Sequence, residues 1–148
     1  VHASGGEAMM RAAREAVAGV SRPPLLIGVT ILTSLGDADL AKIGFRGGAA
    51  ENAVRLARLA RASGLDGVVC SAREAPALRE ATGADFVLVT PGIRLPGAAG
   101  DDQARTVAPA AAVRLGASYL VIGRPITQSA DPAAALESIR ASLESVRT

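Results

Sequence analysis

Short apolar runs rich in valine and isoleucine alternate along the chain with longer stretches of helical period. That alternation predicts an α/β fold with a parallel sheet and right-handed crossovers. Two further observations agree. Apolar residues make up 49% of the 148 positions and aromatics only 2%, so the core is aliphatic, the usual filling of sheets buried on both faces. The links between the runs are short and hold Gly, Pro, Asp and Ser, which break or cap helices. A single domain, 1–148, with a sizeable core fits this length.

Each element follows in order. The chain opens Val1-His2-Ala3-Ser4-Gly5-Gly6. Val1 to Ala3 reads as the end of a strand and the next three residues as a turn into a helix. A strand that begins at its own end implies residues upstream, so the expectation is a piece of a longer protein. Over 7–20, Ala8, Met9, Ala12, Ala13, Ala16 and Val17 oppose Arg11, Arg14 and Glu15, which describes an amphipathic helix. Arg22-Pro23-Pro24 ends it. Residues 25–32 form a continuous apolar run containing Gly28 and predict a buried strand, with Thr33-Ser34 at its C-terminal end. Asp37 reads as the N-cap of a short helix, and 44–48 as a loop. Residues 51–62 predict a helix with Val54, Leu56, Leu59 and Ala60 inside and Gly64 as its C-terminal cap.

Residues 65–70 are the next strand. Ser71 and Glu74 have the spacing of a capping box for a helix over 74–81, which Gly83 ends. A strand at 86–90, a Gly-rich loop at 91–102 and a helix at 107–115 ending at Gly116 follow. The last strand is 119–122 and 125–129 is a turn. Asp131-Pro132 then marks the start of a final helix that runs to about 146.

An open doubly wound sheet and a barrel both fit this alternation. No Gly-x-Gly-x-x-Gly follows a strand and no Gly-x-x-x-x-Gly-Lys occurs, which removes support from the common nucleotide-binding open sheets. Two consecutive strands end beside a glycine and an arginine, at Thr90-Pro91-Gly92-Ile93-Arg94 and at Ile122-Gly123-Arg124-Pro125. In barrels the phosphate site often lies in the loops after the last two strands. The expected architecture is therefore a partial (β/α)8 TIM barrel, roughly its second half, with the tail of the strand before it.

Composition excludes several partners. A net charge of +2, from 16 basic and 14 acidic residues without a basic run, argues against nucleic acid. No run reaches the ~18–20 apolar residues of a membrane span. Cys70 is the only cysteine and reads as a buried core thiol, which fits a reducing cytoplasm. His2 is the only histidine and has no partner at metal-ligand spacing, so no zinc or iron site is expected.

The polar candidates lie after the strands. A bare glycine amide can approach a phosphate oxygen closely, and a guanidinium adds charge-assisted bonds, which points to Gly123 and Arg124. An arginine on the rim paired with an aspartate is the other reading. Arg94 is similar. Gln103 ends a flexible stretch that fits either a lid or a surface loop. The hydroxyl and amide of Thr33 suit a polar ring or a turn.

Taken together, Val1-His2-Ala3-Ser4-Gly5-Gly6, Leu32-Thr33-Ser34, 64–71, Val89-Thr90-Pro91-Gly92-Ile93-Arg94, 100–103 and Ile122-Gly123-Arg124-Pro125-Ile126-Thr127 resemble bacterial orotidine 5′-phosphate decarboxylase over essentially the whole chain. The resemblance implies a (β/α)8 barrel, a homodimer, and conversion of orotidine 5′-phosphate to UMP and carbon dioxide without cofactor or metal. It implies that Thr33 contacts the pyrimidine and that Arg94, Gln103, Gly123 and Arg124 hold the nucleotide, chiefly its phosphate. It makes 95–103 the lid. Asp101-Asp102-Gln103 departs slightly from the family's Gly-Asp-Gln. The larger departure is an absence: the family's Asp-x-Lys-x-x-Asp motif does not occur, and Lys42 is the only lysine. The chain thus resembles the C-terminal part of the enzyme, with its catalytic Lys and Asp residues expected upstream. A related sugar-phosphate decarboxylase or epimerase is an alternative. So is a non-catalytic phosphate-binding half-barrel or one part of a split enzyme.

Overall fold

The computed structural model describes residues 1–94, 107–144 and 146. Four parallel strands form one sheet: β1 (Ile27–Val29), β2 (Gly67–Val69), β3 (Val87–Thr90) and β4 (Tyr119–Leu120), in the order β1-β2-β3-β4. The helices are α1 (Glu7–Ala18), α2 (Asp37–Lys42), α3 (Ala49–Ala62), α4 (Ala75–Thr82), α5 (Pro109–Arg114), α6 (Arg124–Thr127) and α7 (Pro132–Glu144). Every strand pairs with the next in sequence. Doubly wound sheets reverse direction at a switch point, whereas a barrel lays each strand beside the last. The order therefore decides for part of a (β/α)8 barrel. At the outer edge of β1, His2 bridges Val29 in parallel and the Val29 N–H donates to Val1 O at 2.8 Å, as a strand tail would.

Register explains which side chains form the core. Gly28, Val68 and Leu88 share one row across the sheet and are buried toward the helices. Leu56, Ala57, Ala60 and Leu78 meet them there in one aliphatic cluster. A fully buried Leu or Val contributes roughly 1.5–3 kcal/mol. Two strand glycines sit where a side chain would be crowded, and at Gly67 the obstacle is backbone. A Cβ on Gly28 would come within 2.8 Å of Leu65 Cδ2, and one on Gly67 within 2.2 Å of Val87 O. The opposite face, with Val29, Val69 and Val89, is only half-buried, and Tyr119 and Val121 are 57% and 51% exposed.

Three helices end on a shared device. The Leu65 N–H donates to Ala60 O and the Gly64 N–H to Arg61 O, both at 3.0 Å, which is a Schellman motif with Gly64 at φ +85°. Gly44 and Gly116 close α2 and α5 with the same pair of bonds. Arginines of three helices then reach the end of a later helix in the layer. Arg14 of α1 donates to Gly64 O at 2.7 Å and pairs with Asp66 at 2.5 Å, whose other oxygen accepts the Leu26 N–H at 2.6 Å. Arg61 of α3 donates to Thr82 O at the end of α4. Arg79 of α4 donates to Gly116 O past the end of α5. A cation at a helix C-terminus complements its dipole.

Some expectations need correction. Asp37 does not cap its own helix. Gly36 does so with its carbonyl, and Asp37 Oδ1 accepts the Ala49 N–H at 2.8 Å, so it caps α3 instead. Residues 25–32 and 119–122 overestimate β1 and β4, because pairing with β2 and β3 lasts only three and two residues. Val107 pairs with Ile93 rather than starting α5. Helix α6 occupies part of the expected turn at 125–129. Asp131 caps α7 as expected, accepting the Ala134 N–H at 3.0 Å.

Candidate functional site

Parallel strands bring their C-terminal ends to one edge of the sheet, and the sequence candidates follow those ends. Thr33 comes after β1, Arg94 after β3, and Gly123 and Arg124 after β4. The sheet therefore places the Arg94 and Arg124 loops on adjacent strands and Thr33 two strands away on the same edge. Gln103 and the stretch 95–103 lie outside the described residues.

Local structure fixes each group differently. Thr33 is buried at 7% exposure. Arg94 is half-buried, and its Nη1 donates to Ile93 O at 2.9 Å. Its backbone N–H donates to Val107 O at 3.0 Å, and the Val107 N–H donates to Gly92 O at 3.3 Å. This parallel bridge clamps the two ends of the segment between 94 and 107. Gly92 makes the turn into it at φ +75°, where a side chain would be strained. Gly123 is exposed, with open space where a Cβ would stand. Its carbonyl accepts the N–H of Ile126 at 2.8 Å and of Thr127 at 3.1 Å, which starts α6 with the exposed Arg124 as its first residue. Two guanidinium groups and a bare glycine backbone on neighbouring loops are suited to a dianion.

The same edge holds polar residues that sequence reasoning treated only as structural. Thr90 Oγ1 donates to Tyr119 O at 3.1 Å and ties β3 to β4 beneath the arginine loops. Ser71 and Glu74, at the end of β2, are buried. The S-x-x-E spacing signalled their bond, but burial of the carboxylate has no signature in sequence. Lys42 is exposed on α2, with Nζ 4.0 Å from Asp39 Oδ1. Among the described residues no group of three or more His, Cys, Asp or Glu could hold a metal ion. No helix of those residues is long and apolar enough to cross a membrane.

Comparison with known proteins agrees with this geometry. The chain matches the family model described as "Orotidine 5'-phosphate decarboxylase / HUMPS family" over residues 1–139. It is 62% identical over 143 residues to an orotidine 5′-phosphate decarboxylase of Laribacter hongkongensis, covering 97% of this chain and 59% of that protein. It is 61% identical over 139 residues to the enzyme of the same name from Chromobacterium violaceum, covering 94% and 56%. Among solved structures, orotidine 5′-phosphate decarboxylase from Lactobacillus acidophilus superposes with a TM-score of 0.80 at 39% identity, covering 97% of this chain and 61% of that one. The chain therefore spans less than two thirds of the length of these relatives. The family expected from the strand-end motifs and the partial barrel expected from the two glycine-arginine turns are both borne out. With the match running through every strand of the sheet, the chain belongs to the orotidine 5′-phosphate decarboxylase / HUMPS family.

Proposed function

We propose that this chain is the nucleotide-gripping, C-terminal portion of an orotidine 5′-phosphate decarboxylase, a single domain over 1–148. It works with catalytic Lys and Asp residues supplied from upstream. The observation that supports this is the common placement of Thr33, Arg94, Gly123 and Arg124 after the C-terminal ends of parallel strands, in a member of this family. Arg94, Arg124 and the Gly123 amide hold the phosphate together with Gln103, and Thr33 meets the pyrimidine. Guanidinium groups suit this because they stay charged and fork onto two oxygens at once. The phosphate does not react. Binding energy gained there can close 95–103 over the substrate and exclude water around the reacting carboxylate. The step itself breaks the bond between the ring and its carboxylate, releases carbon dioxide, and leaves a ring carbon for an upstream lysine to protonate. The functional unit is a cytoplasmic homodimer that uses neither metal nor cofactor.

Titration calorimetry with UMP, uridine and ribose 5-phosphate tests this. UMP binds at least about tenfold more tightly than uridine, a margin of about 1.4 kcal/mol, and Arg94→Ala and Arg124→Ala each remove most of it. Equal affinity for UMP and uridine overturns the phosphate assignment. Tighter binding of ribose 5-phosphate than of UMP favours the related sugar-phosphate enzyme instead.

A further inference from the structure

Glu74 is the only Asp, Glu, Lys or Arg in the buried class among the described residues, at 3% exposure. Burying a carboxylate is costly unless hydrogen bonds hold it. Glu74 Oε2 accepts the Ser71 N–H at 2.9 Å, Ser71 Oγ accepts the Arg73 N–H at 3.3 Å, and the Glu74 N–H donates to Ser71 O at 3.0 Å. These bonds lock a turn over 71–74 at the C-terminal end of β2. That end lies on the candidate site's edge, between the strand followed by Thr33 and the strand followed by Arg94.

What the locked turn supports is the Arg94 loop. Ala72, inside the turn and 1% exposed, packs with Ile93 and Ala112 in a small cluster that Val107 joins. Ile93 and Val107 are paired in a parallel bridge, directly beside Arg94. A route thus runs from the Glu74 carboxylate to the Ser71 amide, through Ala72 and the cluster it shares with Ile93, to the Arg94 backbone. Helix capping alone does not call for burial, since cap residues work at the surface.

We infer that Glu74 is a positioning residue for Arg94, holding the turn on which the Arg94 loop is seated. The inference rests on the nucleotide reading above. It is tested by UMP titration of the full chain and of Glu74→Ala, Glu74→Gln, Arg94→Ala and the Glu74→Ala/Arg94→Ala double variant, with melting temperatures alongside. Glu74→Ala lowers UMP affinity about tenfold, while Glu74→Gln keeps an acceptor for the Ser71 amide and stays within about threefold of the unaltered chain. In the Arg94→Ala background, Glu74→Ala causes no further loss, because the group it positions is gone. Unchanged affinity in Glu74→Ala, or an equal loss in both backgrounds, overturns the inference. Ala72→Gly keeps the capping bond but removes the methyl under Ile93. It weakens UMP binding about threefold, and it decides the matter if Glu74→Ala does not fold. Unchanged affinity in Ala72→Gly then overturns the inference. Failure of the unaltered chain to bind UMP overturns the nucleotide reading itself, and this inference with it, before any variant is compared.

Discussion

The carbonyl of Gly116 accepts both Nε and Nη2 of Arg79, at 3.0 and 2.8 Å, so a side chain of one helix closes the end of the following one. The same guanidinium reaches Ala84 O at 2.8 Å, Phe86 O at 2.5 Å and Ser118 Oγ at 2.7 Å. Ser118 Oγ in turn accepts the Leu88 N–H at 3.0 Å. Arg79 therefore joins α4, the entry to β3 and the entry to β4.

Arg79→Ala leaves several of these carbonyls without their donor. It destabilises the fold by about 2–4 kcal/mol, read from urea or thermal unfolding. Arg79→Lys recovers little, because one ammonium nitrogen cannot span both Gly116 O, held by Nε and Nη2, and Ala84 O and Phe86 O, held by Nη1. A loss below about 0.5 kcal/mol in Arg79→Ala would show that water replaces the guanidinium at no cost.

Gly67 gives a second stability prediction. A Cβ there would stand 2.2 Å from Val87 O and 2.6 Å from Val87 Cβ. Backbone cannot move aside as a flexible side chain can, so Gly67→Ala parts β2 from β3. The expected cost is more than about 3 kcal/mol, or failure to accumulate as soluble protein. Circular dichroism and melting of the purified variant check this.

The elements were legible in the sequence wherever a local rule governed them. Gly64 and Gly116 end helices because only glycine takes the positive φ of a Schellman turn cheaply, and Asp131-Pro132 starts one because both residues suit a helix entrance. Asp37 misled because its partner, Ala49, lies twelve residues on, beyond any local pattern. Strand order was equally hidden: alternation alone allowed two architectures, and pairing of each strand with its successor separated them. Glycine-arginine turns marked the ends of β3 and β4. The contribution of Glu74 was not readable, since it depends on the cluster that brings Ala72 and Ile93 together.

Arg124 tests the chemistry of the grip without disturbing the fold. It is exposed at the start of α6, so Arg124→Lys leaves the melting temperature within about 1 °C. UMP affinity nevertheless falls about five- to tenfold, because a lysine supplies charge without the planar fork. If lysine binds UMP as tightly as arginine, charge alone is recognised.

The purified chain alone is expected to show no decarboxylase turnover. Its single lysine is 77% exposed on α2 and no Asp-x-Lys-x-x-Asp sequence is present. The check is a spectrophotometric assay of orotidine 5′-phosphate consumption. Turnover above background would place catalytic groups within these 148 residues.

Tyr119 and Val121 should drive self-association. They leave an apolar patch beside a two-residue edge strand, at 57% and 51% exposure. Sedimentation velocity should show species growing with concentration, and Val121→Glu should reduce them. A monodisperse monomer at all concentrations would contradict this.

The pairing of each strand with its immediate successor also bears on how the molecule is made. Among the described strands each partner is the neighbour in chain order: β2 pairs with β1, β3 with β2, and β4 with β3. Each pairing closes a single strand-helix unit rather than a loop across the whole chain, which limits the entropy lost at each closure. Emerging from a ribosome, such a chain can add one strand and one helix at a time onto a growing edge, with Arg14, Arg61 and Arg79 already in place to receive the ends of later helices.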